Sequence, residues 1–219
     1  MTSDPLANRR PLASRQTRIA ARAASLLARA GVRPDVISMA GIGFAGLAAL
    51  ALLQAAPDPA PLKVASTWAA GWLVAAGFIQ LRLAANLLDG MVAIEGGRGG
   101  RLGPLFNEIP DRIEDTAIIA AFGTAAGAPA LGLWTALAAV FCAYLRLFGG
   151  ALGQAQNFAG PMAKQHRMAA LTVGCLAGFG ADLAGRWAAL PEMVLWVVLL
   201  GTLVTAARRI GQIAARIGG

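Results

Sequence analysis

Residues 86–115 read NLLDGMVAIEGGRGGRLGPLFNEIPDRIED. Almost everything around this stretch is apolar, yet it gathers Asn86, Asp89, Glu95, Asn107, Glu108, Asp111, Glu114 and Asp115. These side chains sit at the ends of two apolar segments joined by a glycine-rich run. Ionisable groups at membrane depth are costly and usually mark a site. The stretch is therefore the candidate active site, and the flanking helices are its scaffold.

The 219-residue chain is 57% hydrophobic and 14% charged, with a mean hydropathy of +0.61. Soluble domains average roughly 45–50% apolar and about 25% charged residues, so the composition predicts an integral membrane protein. The net charge is +8, but the basic residues fall between apolar segments and form no face that grips a duplex. This distribution excludes nucleic acid as the partner and fits topology signals. Cys142 and Cys175 lie inside apolar runs, without CxxC or Cys/His spacing, and read as small core residues. The arginines before the first long apolar run, with no cleavable apolar segment ahead of them, argue against a signal peptide.

Taken in order, the chain predicts an all-α membrane protein: six transmembrane helices preceded by an N-terminal amphipathic interfacial helix. Residues 1–16 read as a disordered tail. In residues 17–33, Ile19, Ala23, Leu26, Leu27 and Ala30 recur at helical spacing while Arg18, Arg22 and Arg29 fall elsewhere, the pattern of a basic helix lying in the cytoplasmic interface. Residues 34–208 hold the spans, expected near 36–53, 65–88, 104–126, 131–148, 169–183 and 190–206, and residues 209–219 form a basic cytoplasmic tail. Gly41, Gly43 and Gly46 leave room for a neighbouring helix, and Trp68 and Trp72 read as interfacial anchors at the outer end of the second span. The run Gly96–Gly103 follows no strand, which rules out a dinucleotide fingerprint or a Walker A loop. Six spans put both termini on one side. Seventeen of the nineteen Lys and Arg residues fall on that side, leaving only Lys63 and Arg186 outside. That side is cytoplasmic, and the protein is expected in a bacterial inner membrane.

Asn86 and Asp89 are i and i+3 on one helix face, and Asn107, Asp111 and Asp115 are i, i+4 and i+8 on another. If the glycine-rich run returns the chain, the faces meet and offer three carboxylates and two amide oxygens. An oxygen-only donor set suits Mg²⁺, Mn²⁺ or Ca²⁺. The lone His166 is distant and no thiolate is near, which argues against zinc.

These residues resemble the CDP-alcohol phosphotransferases, membrane enzymes of phospholipid head-group synthesis, whose pattern is D-x2-D-G-x2-A-R-x8-G-x3-D-x3-D. Here the pattern reads Asn86-x2-Asp89-Gly90-x2-Ala93-Ile94-x8-Gly103-x3-Asn107-x3-Asp111, with every spacing matched. The resemblance implies that Asp89, with Asn86, Asn107, Asp111 and Asp115, holds divalent Mg or Mn against the diphosphate of a CDP-linked donor. It implies that Asp89, Gly90, Ala93 and Gly103 receive the nucleotide, and that Asp111 is the general base towards the acceptor hydroxyl, with CMP leaving. Lys164 and Arg167, at a helix start, and Arg146 are the candidates for acceptor or donor phosphate. A homodimer is compatible with the small-residue faces. The chain departs from the pattern at Asn86, Ile94 and Asn107, where each asparagine keeps a carbonyl oxygen but removes a negative charge. Two other readings stand beside the transferase: a family relative without catalysis, acting as a lipid-binding or assembly subunit, and a small membrane transporter.

Overall fold

A computed structural model describes residues 17–56, 68–95, 103–155, 157–158, 160–185 and 189–218. Among them are seven α-helices: α1 (Arg18–Arg29), α2 (Pro34–Ala55), α3 (Trp68–Glu95), α4 (Gly103–Ala125), α5 (Pro129–Ala151), α6 (Lys164–Ala184) and α7 (Leu190–Ile217). The expected tail 1–16, Lys63, Arg186 and the glycine-rich run 96–101 lie outside the described residues.

Local chemistry sets the helix ends. Thr17 caps α1 by accepting the Ala20 N–H at 3.3 Å. At the other end Gly31 adopts φ 75°, and the Gly31 and Val32 N–H groups donate to the Ala28 and Leu27 carbonyls. That is a Schellman ending, open to glycine because a Cβ disfavours the left-handed region. Pro34, Pro129 and Pro191 stand in the first turns of α2, α5 and α7, where a missing N–H costs nothing.

Five helices, α2, α3, α5, α6 and α7, are long and apolar enough to cross a membrane. The shortest, α6, has 21 residues, and at 1.5 Å per residue such a helix covers about 32 Å, against a hydrocarbon core of about 30 Å. Helix α4 has 23 residues but carries Glu108, Asp111, Arg112, Glu114 and Asp115 in its first half. Its second half is apolar and buries Ile118, Ile119 and Phe122.

Helices α3, α2, α4, α5, α7 and α6 form a closed ring of neighbours, and α1 lies against α3. The shared core includes Leu52, Ile79, Ile118, Phe122, Met168, Leu171 and Leu195. Large apolar side chains cover the outside too, among them Leu133, Trp134 and Leu137 on α5 and Trp196, Val197 and Leu200 on α7. Apolar outer faces of this extent are what lipid requires and water penalises.

Small residues let the helices approach at the end remote from Asp89. A Cβ on Gly123 would fall 2.4 Å from the Gly132 Cα, one on Gly71 would fall 2.6 Å from the Ala51 carbonyl oxygen, and one on Gly178 would strike the Trp72 ring at 2.6 Å. Three sequence expectations change here. Trp72 is only 2% exposed and donates its indole N–H to Asp182 at 3.0 Å, so it is a core residue and no interfacial anchor. Gly43 and Gly46 have nothing within 4 Å of a would-be Cβ, so Gly41 alone of the three meets a neighbour. Helix α7 runs through Arg208, Arg209 and Arg216 to Ile217, so the basic C-terminal stretch is helical to that point.

Candidate active site

Helix α3 brings Arg82, Asn86 and Asp89 to one face at i, i+4 and i+7. Helix α4 brings Asp111, Glu114 and Asp115 at i, i+3 and i+4. The first turn of α6 adds Lys164 and Arg167, and the start of α2 adds Ser38 and Gly41. The facing of α3 and α4 expected from spacing is present: Asn86 Nδ2 donates to Asp111 Oδ1 at 2.8 Å and to Glu114 Oε2 at 3.1 Å.

Arg82 is the hub. Its side chain is 0% exposed, with Nε donating to Glu114 Oε2 at 2.5 Å and Nη2 to Asp115 Oδ1 at 2.6 Å; Nη2 also lies 3.6 Å from Asp111 Oδ1. Arg167 donates to Asp115 Oδ2 at 3.3 Å and to the Met162 carbonyl at 3.0 Å. Lys164 Nζ donates to Asp111 Oδ1, while Arg112 stands 3.4 Å from Asp111 Oδ2. Asp89 accepts from Ser38 Oγ at 2.8 Å and from the Gly90 N–H at 2.5 Å. Buried charges persist only when paired and hydrogen-bonded, and this network meets that condition almost throughout.

The exceptions are informative. Arg82 Nη1, Arg112 Nε and Arg167 Nε are buried donors without a partner, and Glu114 Oε1 is a buried acceptor without one. A Cβ on Gly41 would fall 2.9 Å from that oxygen and 3.1 Å from Asn86 Oδ1. The Asn86 orientation follows from its two carboxylate acceptors, which only an NH₂ group can serve. Two acceptor oxygens thus flank a buried space kept open by glycine, a setting that calls for a cation or a donor. No three Asp, Glu, His or Cys side chains converge on one point among the described residues. The donors are all oxygen, the kind a hard divalent cation takes.

The remaining expected residues fall as follows. Gly90 and Ala93 lie in the last turns of α3, and Gly103 begins α4. Asn107 lies on α4 and Ile94 and Glu95 end α3, but their side chains lie outside those described. Both Asp115 oxygens are taken by arginines, Lys164 and Arg167 turn inward to Asp111 and Asp115, and His166 is exposed. Arg146 pairs with both Glu108 oxygens at 2.6 and 2.5 Å and stacks on Phe158 with 5.1 Å to the ring centroid. Glu114, for which the spacing assigns no role, is 0% exposed, because Arg82 and Asn86 on the facing helix supply its partners. Ser38 and the central place of Arg82 were missed. The available signal for Arg82 was its position one turn before Asn86.

A shallow depression lies between α5 and α7, lined by Arg146, Arg209, Arg216, Gln154, Asn157 and Gln212 among others. Arg209 donates to the Cys142 carbonyl at 2.7 Å.

No protein-family model matches the chain. It is 32% identical over 145 residues to the inner membrane protein YnbA of Escherichia coli K12, a match covering 63% of this chain and 69% of that protein. Its fold superposes on Mycobacterium tuberculosis phosphatidylinositol phosphate synthase with CDP-DAG bound (TM-score 0.67, 21% identity, 90% of this chain and 94% of the other). The same enzyme in complex with manganese and citrate gives a TM-score of 0.67 at 20% identity, covering 89% and 88%. The chain therefore shares the fold of that phosphatidylinositol phosphate synthase and belongs to the family of the inner membrane protein YnbA.

Proposed function

We propose that the chain is a multi-pass transferase of a bacterial inner membrane, moving a phosphatidyl or other phospho-alcohol group from a CDP-linked donor to an acceptor hydroxyl with release of CMP. The observation that carries this reading is the hydrogen bond from Asn86 on α3 to Asp111 on α4, which sets the two motif helices face to face, with Asp89 one turn beyond Asn86 and fixed by Ser38. Matching motif spacing and the shared fold support it.

In this reading α4 is the third of six spans, flanked by α2 and α5, and both termini are cytoplasmic. Helix α1 lies in the interface: Ala20 and Ala24 face the protein, Arg18, Arg22 and Arg29 are exposed, and Ile19 and Leu26, 82% and 66% exposed, enter the lipid.

Asp111 Oδ1 is engaged by Asn86 and Lys164, whereas Oδ2 meets only Arg112 at 3.4 Å. Oδ2 is thus the oxygen that takes the acceptor proton. The acceptor oxygen bonds to the lipid-side phosphorus, the phosphorus–oxygen bond to CMP breaks, and CMP leaves with that electron pair. Arg82, Arg112 and Lys164 are the fixed cations beside this path. Asp89 and Asp111, with Asn86 Oδ1, would be the donors for a divalent Mg or Mn ion, which would neutralise charge on the diphosphate. Gly90, Ala93 and Gly103 leave space for the nucleotide. The arginine-lined depression between α5 and α7 favours an anionic acceptor, such as a phosphorylated alcohol.

The test is CMP release from CDP-diacylglycerol by purified protein with Mg²⁺ or Mn²⁺ and a panel of alcohols and phosphorylated alcohols. Divalent-dependent CMP formation with one acceptor is the expected result, and none with any acceptor overturns the reading. A second reading, a lipid-binding relative without catalysis, draws on the near-complete internal pairing of the cluster. Binding of CDP-diacylglycerol without CMP formation would select it.

A further inference from the structure

Three carboxylates, Asp111, Glu114 and Asp115, interlock with four cations, Arg82, Arg112, Lys164 and Arg167, and a fourth carboxylate, Asp89, is held beside them by Ser38. Their charges cancel before any ligand arrives. The most deeply placed of the cations is Arg82, whose guanidinium reaches three of the carboxylates with none of its side chain exposed. It stands one helical turn before Asn86, where the family pattern carries an acid. A cation held in this way does the neutralising that a metal ion does elsewhere, without being exchangeable.

We propose that Arg82 is a resident counter-ion standing in for one divalent cation, so that the loaded centre takes a single divalent ion per chain. Arg82 Nη1, Arg112 Nε and Arg167 Nε are unpartnered donors that suit the phosphates, while the orphaned acceptor Glu114 Oε1, beside Gly41 and Asn86 Oδ1, marks where a positive charge is wanted. The proposal deepens the transferase reading and rests on it for the chemistry of the donor. Each phosphate of a CDP-linked diphosphate brings one negative charge, so one divalent ion leaves the loaded centre neutral. A second would leave surplus positive charge in a buried setting, which is strongly unfavourable. The loss of negative charge at Asn86 is then matched to the presence of Arg82.

The experiment counts Mn²⁺ per chain by electron paramagnetic resonance of the unbound ion, on detergent-purified protein with Mn²⁺ alone and with CDP-diacylglycerol. The expected count with donor present is one for the wild type and two for Arg82→Met, which leaves Glu114 and Asp115 without their guanidinium. If Arg82→Met does not give a monodisperse folded protein, Asn86→Asp, which adds a charge and keeps Arg82, takes its place with the same expected doubling. A wild-type count of two or of none overturns the proposal, and so does a count that stays at one in the folded variant. CMP formation in the same samples reports on the transferase reading alone. A count of one that doubles in the variant, without CMP formation, upholds the resident cation and removes the transferase.

Discussion

At one end of the bundle α3 meets α2 and α6 through Gly71, Trp72 and Gly178; at the other it meets α2 and α4 through Arg82, Asn86 and Asp89. The first contact is steric. The Trp72 ring fills the space over Gly178 and lies edge-on to Phe122 with centroids 5.6 Å apart. Each atom there has one place, because close-packed apolar interiors tolerate neither voids nor extra methyl groups. The second contact is electrostatic, and its partners are interchangeable: Asp111 is shared among Asn86, Lys164, Arg82 and Arg112. A bound cation or diphosphate can replace one partner by another without moving a helix. A rigid end thus holds the helices in register while the charged end stays free to exchange its counter-ions.

That contrast can be broken at either end. The largest effect is expected for Asp111→Asn, which removes the carboxylate proposed as proton acceptor. CMP release should fall by about 10²–10⁴-fold, the usual worth of a general base, while the apolar end is untouched. Next comes Arg82→Met. Taking one partner from a buried ion network costs about 3–5 kcal/mol, to be read as lower resistance to denaturation in micelles, and added Mn²⁺ should recover part of the loss. At the other end Gly123→Ala drives a methyl group into Gly132. Overpacking of this kind costs about 1–3 kcal/mol, and here Mn²⁺ should recover nothing. The smallest effect is expected for Trp72→Phe, which keeps an aromatic ring but deletes the bond to Asp182, at about 0.5–1.5 kcal/mol. Stability lost in Gly123→Ala but regained with Mn²⁺ would erase the distinction between the two ends.

The sequence disclosed the scaffold well because each helix is an apolar run bounded by Pro or Gly, signals that act within a few residues. Asp89 and Asp111 were legible for the same reason, since motif spacing is local. Glu114 was not. Its burial depends on Arg82, 32 positions away on another helix, and without that partner a glutamate belongs in water. Trp72 misled in the same way: a tryptophan near a helix end reads as an anchor, and only the glycine at position 178 on α6 makes room for it inside. Ser38 carries no pattern at all, since its role arises from α2 crossing α3 beside Asp89. What sequence could not reveal is therefore the set of partners drawn from different helices, and in this molecule those partners decide the charge balance of the site.

The central claim is geometric: α3 and α4 hold Asp89 and Asp111 beside one shared cation. It is tested most directly by crystals grown with Mn²⁺ and measured for the manganese anomalous signal. A single peak within coordination distance of both carboxylates is the predicted result. A map in which the peak touches neither, or in which Asp89 and Asp111 open onto separate surfaces, would contradict the account.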